Sequence, residues 1–368
     1  MTERDERLRA AIVRPLRLDY HPVHRFYQGG KLIEQFRGLP EPRDHDRPED
    51  WVGSCTLAAN PDRQGRPQGL STVEVDGVGA APLVELVERF PEPMLGTRFV
   101  ARWGVTPGVL VKLLGAPGRL PVHAHPSRAF AERHLGSRFG KTEAWIVLET
   151  HATDGEPAHV KLGFQPHVTR DWFRGAVERQ DATELTGALH HLEVRPGDVY
   201  LVGAGMPHLI GPGILIAETQ EPTDFGVLAE WRRFGVSEEG ATMGLGWDVA
   251  LDVFDYTPRD REALLAVARQ QPRLVREQRA SRETALMGPA AAEFFDASVL
   301  DVADELEVDD GRFYVGMVTA GDGSIEGDFG REPLRRGQTF ACAASLGHRY
   351  RAGRAPLRVL RCLGPRAG

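Results

Sequence analysis

The sequence predicts a mainly β chain built from two copies of one strand module, with a small helical insertion. Three observations carry this. Glycine and proline number 41 and 26 among 368 residues, a turn density that suits many short strands and is too high for a helical bundle. From Val109 onward, short apolar runs follow one another: VLVKLL, AWIVLE at 144–149, HVKLGF at 159–164, LEVRPGDVYLVG at 192–203 and ILIAETQ at 214–220, most of them separated by Gly, Pro or Asp turns. Finally, RPGDVYLVGAGMPH (195–208) is echoed by RRGQTFACAASLGH (335–348), each running from a glycine through a strand to a histidine eleven residues later.

A turn glycine, an apolar strand and a small-residue turn ending in His is how the second half of a cupin jelly-roll barrel reads, so two cupin modules are expected. Residues 1–105 mix Pro-rich loops (LPEPRDHDRPED, NPDRQGRPQG) with short apolar runs, and in APLVELVERF the spacing of Leu83, Val84, Leu86 and Val87 predicts a helix. This segment is expected to complete the first cupin. Residues 106–250 form its main body, with a helical insertion in which Thr169 caps a run through Trp172 and Phe173, and Asp181 with Glu184 makes a second capping box. Residues 251–294 are expected to be a helical linker, Thr257 serving as cap, Pro258 as first helical residue and Leu264 and Leu265 as its apolar face. Strands resume over 295–368, the second cupin.

Charge and cysteine content narrow the function. There are 45 basic and 52 acidic side chains, a formal charge of -7, with no basic stripe, which argues against a nucleic-acid partner on electrostatic grounds. Cys55, Cys342 and Cys362 are odd in number and far apart, so neither a disulfide framework nor a CxxC metal site can be drawn from them. The opening MTERDERLRAAIVRP alternates charges, and the longest apolar stretch, 199–217, is broken by His208, two prolines and four glycines. The expectation is a soluble cytoplasmic protein, monomer or homodimer, whose partner is a small molecule rather than a membrane.

The chemistry gathers on four residues. His123 and His125 stand two apart in LPVHAHP, so a continuing strand points both imidazoles to one face. Glu143 opens the next apolar strand, and His208 closes the glycine-led strand of the repeat. Three imidazoles and one carboxylate from separate strands suit zinc, manganese, iron or nickel. The second copy is an internal control: His348 sits where His208 does, but residues 310–334 contain no histidine. One divalent metal is expected, in the first barrel only.

These residues also carry a family likeness. GVLVKLLGAPGRLPVHAHP, FGKTEAWIVLE, RPGDVYLVGAGMPHLIGPGILIAETQEPTD and GWDVALDVFDY resemble successive signatures of class I mannose-6-phosphate isomerases, two-cupin zinc enzymes, and RFYQGGKL with PEDW resembles their amino-terminal elements. The resemblance implies that His125, Glu143 and His208 are metal ligands. The family's usual fourth ligand, a glutamine, falls on His123. That gives a three-His, one-Glu set, similar to those of cupin dioxygenases and cupin lyxose isomerases, so zinc is the first expectation with manganese or iron as alternatives.

The resemblance further implies interconversion of mannose 6-phosphate and fructose 6-phosphate. Lys141 matches the family lysine two residues before the ligand Glu, and Asp224 matches the Asp after the AExQ strand. The family arginine falls on Val227 or Leu228, both apolar, leaving Arg232 or Arg233 as the nearest substitutes, with Arg25 and Lys31 as amino-terminal ones. The expected catalytic set is Lys141, Asp224 and Arg232. Glu218 and Gln220 share one strand face, where Glu218 is expected to wall the pocket or partner a buried base. Alternative expectations are an unphosphorylated or differently substituted aldose, metal-dependent oxygen chemistry, or sugar binding without turnover.

Overall fold

Apolar runs in this chain are continuous rather than alternating because the central strands are covered on both sides. In the computed structural model, which describes residues 2–367, each barrel is a pair of antiparallel sheets. The first barrel pairs a five-stranded sheet, in the order Leu189–Glu193, His159–Phe164, His208–Ile210, His123–Ala124, Val227–Leu228, with a six-stranded one. The latter runs Val199–Val202, Glu143–Thr150, Ile214–Gln220, Leu110–Leu114, Glu49–Val52, Pro22–Val23. The second barrel pairs a seven-stranded sheet, ending on Leu16–Leu18 at one edge and Arg273–Gln278 at the other, with a four-stranded sheet that includes His348–Ala352.

Strand alternation sends the side chains of the six-stranded sheet to two different cores. Trp145, Val147, Ile214 and Ile216 fill the first barrel with Val160, Leu162, Tyr200 and Val202. Their neighbours Ala144, Ile146, Leu215 and Ala217 point the other way, into a layer shared with Val315, Met317, Ala341 and Leu360 of the second barrel. The two barrels therefore pack back to back, and truncating a side chain such as Leu215 to Ala in that layer would cost ~2–5 kcal/mol. The helical insertion, Arg170–Arg179 capped by Thr169 and Ala182–Gly187 capped by Asp181, covers the outer face of the five-stranded sheet through Phe173, Ala176 and Leu185.

Three expectations are corrected. Residues 273–285, assigned to a helical linker, form the hairpin Arg273–Gln278 and Ser281–Ala285 at the edge of the second barrel. Its strands are largely solvent-facing, so they carry Arg, Glu and Gln where a buried strand would show an apolar run. The helix expected from Thr257 begins later, at Arg261, because the Asp260 carboxylate accepts from the Ala263 amide and caps it. The amino-terminal segment is shared: Pro22–Val23 and Glu49–Val52 join the first barrel, whereas Leu16–Leu18 pairs with Thr339–Cys342 of the second. Among the described residues, no helix is long and apolar enough to cross a membrane.

Candidate metal centre

The site is built where the two sheets of the first barrel meet. His208 is paired directly with His123 across adjacent strands, and His125 lies just beyond the short strand His123–Ala124. Ring centroids of the three histidines are 4.0 to 5.0 Å apart, and one nitrogen from each falls within 4.8 Å of the others. Glu143 enters from the facing sheet, its Oε2 3.1 Å from His125 Nε2 and its Oε1 3.4 Å from His208 Nε2.

Backbone carbonyls fix how the imidazoles point. His123 Nδ1 lies 2.8 Å from Pro121 O, His125 Nδ1 2.7 Å from Phe225 O and His208 Nδ1 2.8 Å from Met206 O. A carbonyl oxygen only accepts, so each Nδ1 carries the proton and each Nε2 turns a lone pair inward. Burial keeps these rings neutral, pulling His125 and His208 down to about 3 and His123 well below its ordinary value. Burial would raise the Glu143 carboxyl, but the adjoining His125 ring and the Lys141 ammonium hold it well below the usual carboxylate range. Trp145 Nε1 donates to Glu143 Oε1 at 2.9 Å. Glu143 Oε2 and His208 Nε2 are buried without a hydrogen-bond partner, which is costly unless a cation meets them. Three neutral imidazoles, one carboxylate and two orphaned inward-facing atoms fit a divalent metal.

Lys141, expected beside these groups, is there: its Nζ is 2.9 Å from His125 Nε2 and 3.4 Å from Glu143 Oε2. Asp224 is also in the barrel but is committed elsewhere. It accepts two bonds from Arg25, at 2.7 and 2.8 Å, and one from the Ala59 amide at 2.9 Å. Burial opposes its ionisation, but Arg25 outweighs this and holds its carboxyl far below the ordinary range, which makes Asp224 a poor base. Arg232 is not brought to the site. It lies on an exposed turn, Arg232–Phe234, with its guanidinium 5.1 Å over the Trp231 ring. Val227 and Leu228, at the position of the family arginine, pair with Ala124 and His123, and Val227 is packed into the core beneath the helical insertion.

The sequence reading passed over Lys112. Its ammonium lies 3.5 Å from Glu49 Oε2, 3.5 Å from Glu218 Oε1 and 3.8 Å from Asp224 Oδ1, and 4.9 Å from the Trp51 ring centroid. With Arg25 it anchors a buried cluster of five ionisable side chains beside the candidate ligands. Burial, with Glu143 nearby, pushes the Glu218 carboxyl up to about 7, and Glu218 Oε1 has no hydrogen-bond partner. A single lysine inside the apolar run VLVKLL was the available signal, since a charge on a two-sidedly buried strand must find partners.

In the second barrel the position equivalent to the metal site is closed by side chains. His348 Nε2 is 2.6 Å from Tyr314 OH, which is 2.5 Å from Tyr350 OH, and the Arg361 guanidinium lies 4.4 Å from the Tyr314 ring centroid.

Fold and site together define a two-barrel cupin protein with one histidine-rich, metal-type pocket. Over part of its length the chain is similar in sequence to mannose-6-phosphate isomerases, and its fold is similar to theirs. It is 34% identical over 116 residues to the mannose-6-phosphate isomerase ManA of Bacillus subtilis, covering 32% of this chain and 34% of that protein. It is 29% identical over 210 residues to the mannose-6-phosphate isomerase of Streptococcus mutans, covering 57% of this chain and 58% of that protein. The aligned stretches thus span between a third and three fifths of those relatives' lengths. The crystal structure of the Bacillus subtilis mannose 6-phosphate isomerase superposes with a TM-score of 0.72 at 20% identity, covering 94% of this chain and 99% of that one. A variant of phosphomannose isomerase from Salmonella typhimurium superposes with a TM-score of 0.69 at 15% identity, covering 96% and 100%. No family model matches.

Proposed function

We propose that this chain is a metal-dependent aldose–ketose isomerase that interconverts mannose 6-phosphate and fructose 6-phosphate, with His123, His125, Glu143 and His208 holding the metal. The observation that carries the proposal is the convergence of three Nε2 lone pairs and Glu143, each Nδ1 proton being tied to a carbonyl. Bound there, a divalent cation would supply positive charge to the two sugar oxygens that exchange roles during isomerisation. The relatives named above are mannose-6-phosphate isomerases, which supports the same substrate here.

The chain's own groups do the rest. Lys141 Nζ, 2.9 Å from a ligand nitrogen, stands where a proton can be held or delivered beside the reacting carbons. Lys112, flanked by Glu49 and Glu218, keeps a cation in the barrel interior and so favours negative charge developing on substrate oxygen. Glu218, whose carboxyl is pushed up to about 7, can carry a proton at neutral pH. Trp51 and Trp145, both fully buried, exclude water from this end of the barrel.

A second reading, an unphosphorylated aldose, is favoured by one observation. Arg25 is already bonded to Asp224 and Asn60 and paired with Glu49, which leaves few of its donors for a phosphate dianion. The test is elemental analysis of the purified protein followed by an isomerase assay on mannose 6-phosphate with the metal found. Turnover supports the proposal; metal-loaded protein without turnover of any phosphorylated or free aldose contradicts it.

A further inference from the structure

Glu221 is fully buried and lies outside the charged cluster just described. Its Oε2 accepts from the Thr142 amide at 3.0 Å, and its own amide donates to Thr142 O at 3.0 Å. Thr142 is the residue between Lys141 and Glu143. The other carboxylate oxygen, Oε1, accepts from Arg128 Nε at 2.6 Å. Two residues further on, Thr223 Oγ1 donates to Gly140 O at 2.6 Å, and the Lys141 amide donates to Pro126 O at 2.9 Å. Gly140 allows this closeness: a Cβ there would stand 2.5 Å from Pro126 O and 2.7 Å from the Arg128 amide nitrogen, so any larger residue would push the two segments apart.

Arg128 is in turn held from the second barrel's side. Its guanidinium lies 4.6 Å from the Phe294 ring centroid and 5.5 Å from that of Trp103, and its Nη2 donates to Glu293 O at 2.8 Å. Residues 293–294 lead directly into Asp296–Val302, a strand of the seven-stranded sheet. An unbroken chain of contacts runs from the second barrel through Phe294, Arg128 and Glu221 to the segment that carries Lys141 and leads into the strand opened by Glu143.

We infer that Glu221 is a positioning residue: clamped between the Thr142 amide and Arg128, it sets where Lys141 and Glu143 stand relative to the three histidines, and Arg128 anchors that clamp to the second barrel. The inference rests on the metal-site reading above. It gives a use to the second barrel, where among the described residues no cluster of metal-ligating side chains is found, since that barrel supplies the surface against which Arg128 is fixed. Outer groups that orient metal ligands typically contribute about 10–100-fold in metal affinity.

The experiment titrates metal-stripped protein with zinc against a chromophoric chelator, for wild type, Glu221→Ala, Glu221→Gln and Arg128→Met, with Asp310→Asn as a control. Asp310 pairs with Arg361, whose guanidinium is buried in the second barrel, so it reports the generic effect of removing an ion pair from that barrel. Glu221→Ala is expected to weaken zinc binding by about tenfold or more and to lower kcat with little change in KM. Glu221→Gln retains an acceptor for the Thr142 amide and should recover most of the affinity; Arg128→Met should fall between them. Wild-type zinc affinity and kcat in Glu221→Ala, or in Arg128→Met where the alanine variant does not fold, would overturn the inference, as would an equal loss of affinity in Asp310→Asn. The zinc comparison needs no substrate, so it decides the clamp even in a protein that turns over no mannose 6-phosphate.

Discussion

The Lys141 ammonium lies 2.9 Å from His125 Nε2, on the lone pair that the histidine turns toward the other ligands. A cation on the lysine and a cation at the ligand centre compete for that position. A divalent cation held by the three histidines would take that lone pair, leaving the Lys141 ammonium the Glu143 carboxylate, 3.4 Å away, as its neighbour.

Lys141→Met keeps the side-chain length and removes the ammonium. Metal content should remain at the wild-type level, while kcat falls by more than about tenfold, the equivalent of about 1.4 kcal/mol of barrier. Steady-state kinetics on the metal-loaded variant checks this, and a kcat within about threefold of wild type removes Lys141 from the chemistry.

Arg232, exposed on its turn, should be dispensable: Arg232→Ala is expected to keep kcat/KM within about twofold of wild type. Arg25 should not be. Removing its guanidinium leaves Asp224 and Glu49 buried without their closest cation, a loss that typically costs about 3–5 kcal/mol. Urea unfolding of Arg25→Met gives the number, and a midpoint equal to wild type contradicts the prediction.

The same pair sets a pH dependence. Arg25 holds the Asp224 carboxyl below its ordinary range, so its contribution is present above the unfolded-state value of about 3.9 and is lost as pH falls through the lower folded value. Each such group adds a slope of up to about 1.4 kcal/mol per pH unit in that window. Stability measured downward from pH 7 should therefore fall on the acid side, and Asp224→Asn should flatten that limb. An unchanged acid slope in the variant would show that the pair does not carry it.

Substrate choice turns on phosphate. Comparing specificity constants for mannose 6-phosphate with those for free mannose and lyxose should favour the phosphorylated sugar by more than about tenfold, or about 1.4 kcal/mol of transition-state binding. A free aldose favoured by that margin would install the second reading, and would agree with Arg25 being held by Asp224 and Asn60 and with apolar Val227 and Leu228 at the place where the resemblance puts an arginine.

Much of this was legible before the structure. The histidine cluster could be read because its members lie at strand ends marked by turns, and because the repeat supplied a second copy for comparison. Four strands of the six-stranded sheet, Leu110–Leu114, Glu143–Thr150, Val199–Val202 and Ile214–Gln220, were plain because they read as apolar runs. The hairpin 273–285 was not, since an exposed edge strand carries polar residues on both faces and shows no period. The Arg25–Asp224 pair was illegible for another reason: its members are 199 residues apart, and nothing local to either names the other. Likewise Glu221 looked like one more acid in AETQEPTD until its burial against Thr142 and Arg128 gave it a place.

The central claim, one metal held in the first barrel, is tested most directly by elemental analysis of three proteins purified alike: wild type, His208→Ala and His348→Ala. Wild type and His348→Ala should each carry about one divalent metal per chain, because His348 is hydrogen-bonded to Tyr314 rather than facing a ligand set, whereas His208→Ala should lose most of it by forfeiting one of four ligands. Equal metal content in wild type and His208→Ala, or a loss in His348→Ala as large as in His208→Ala, would contradict the account.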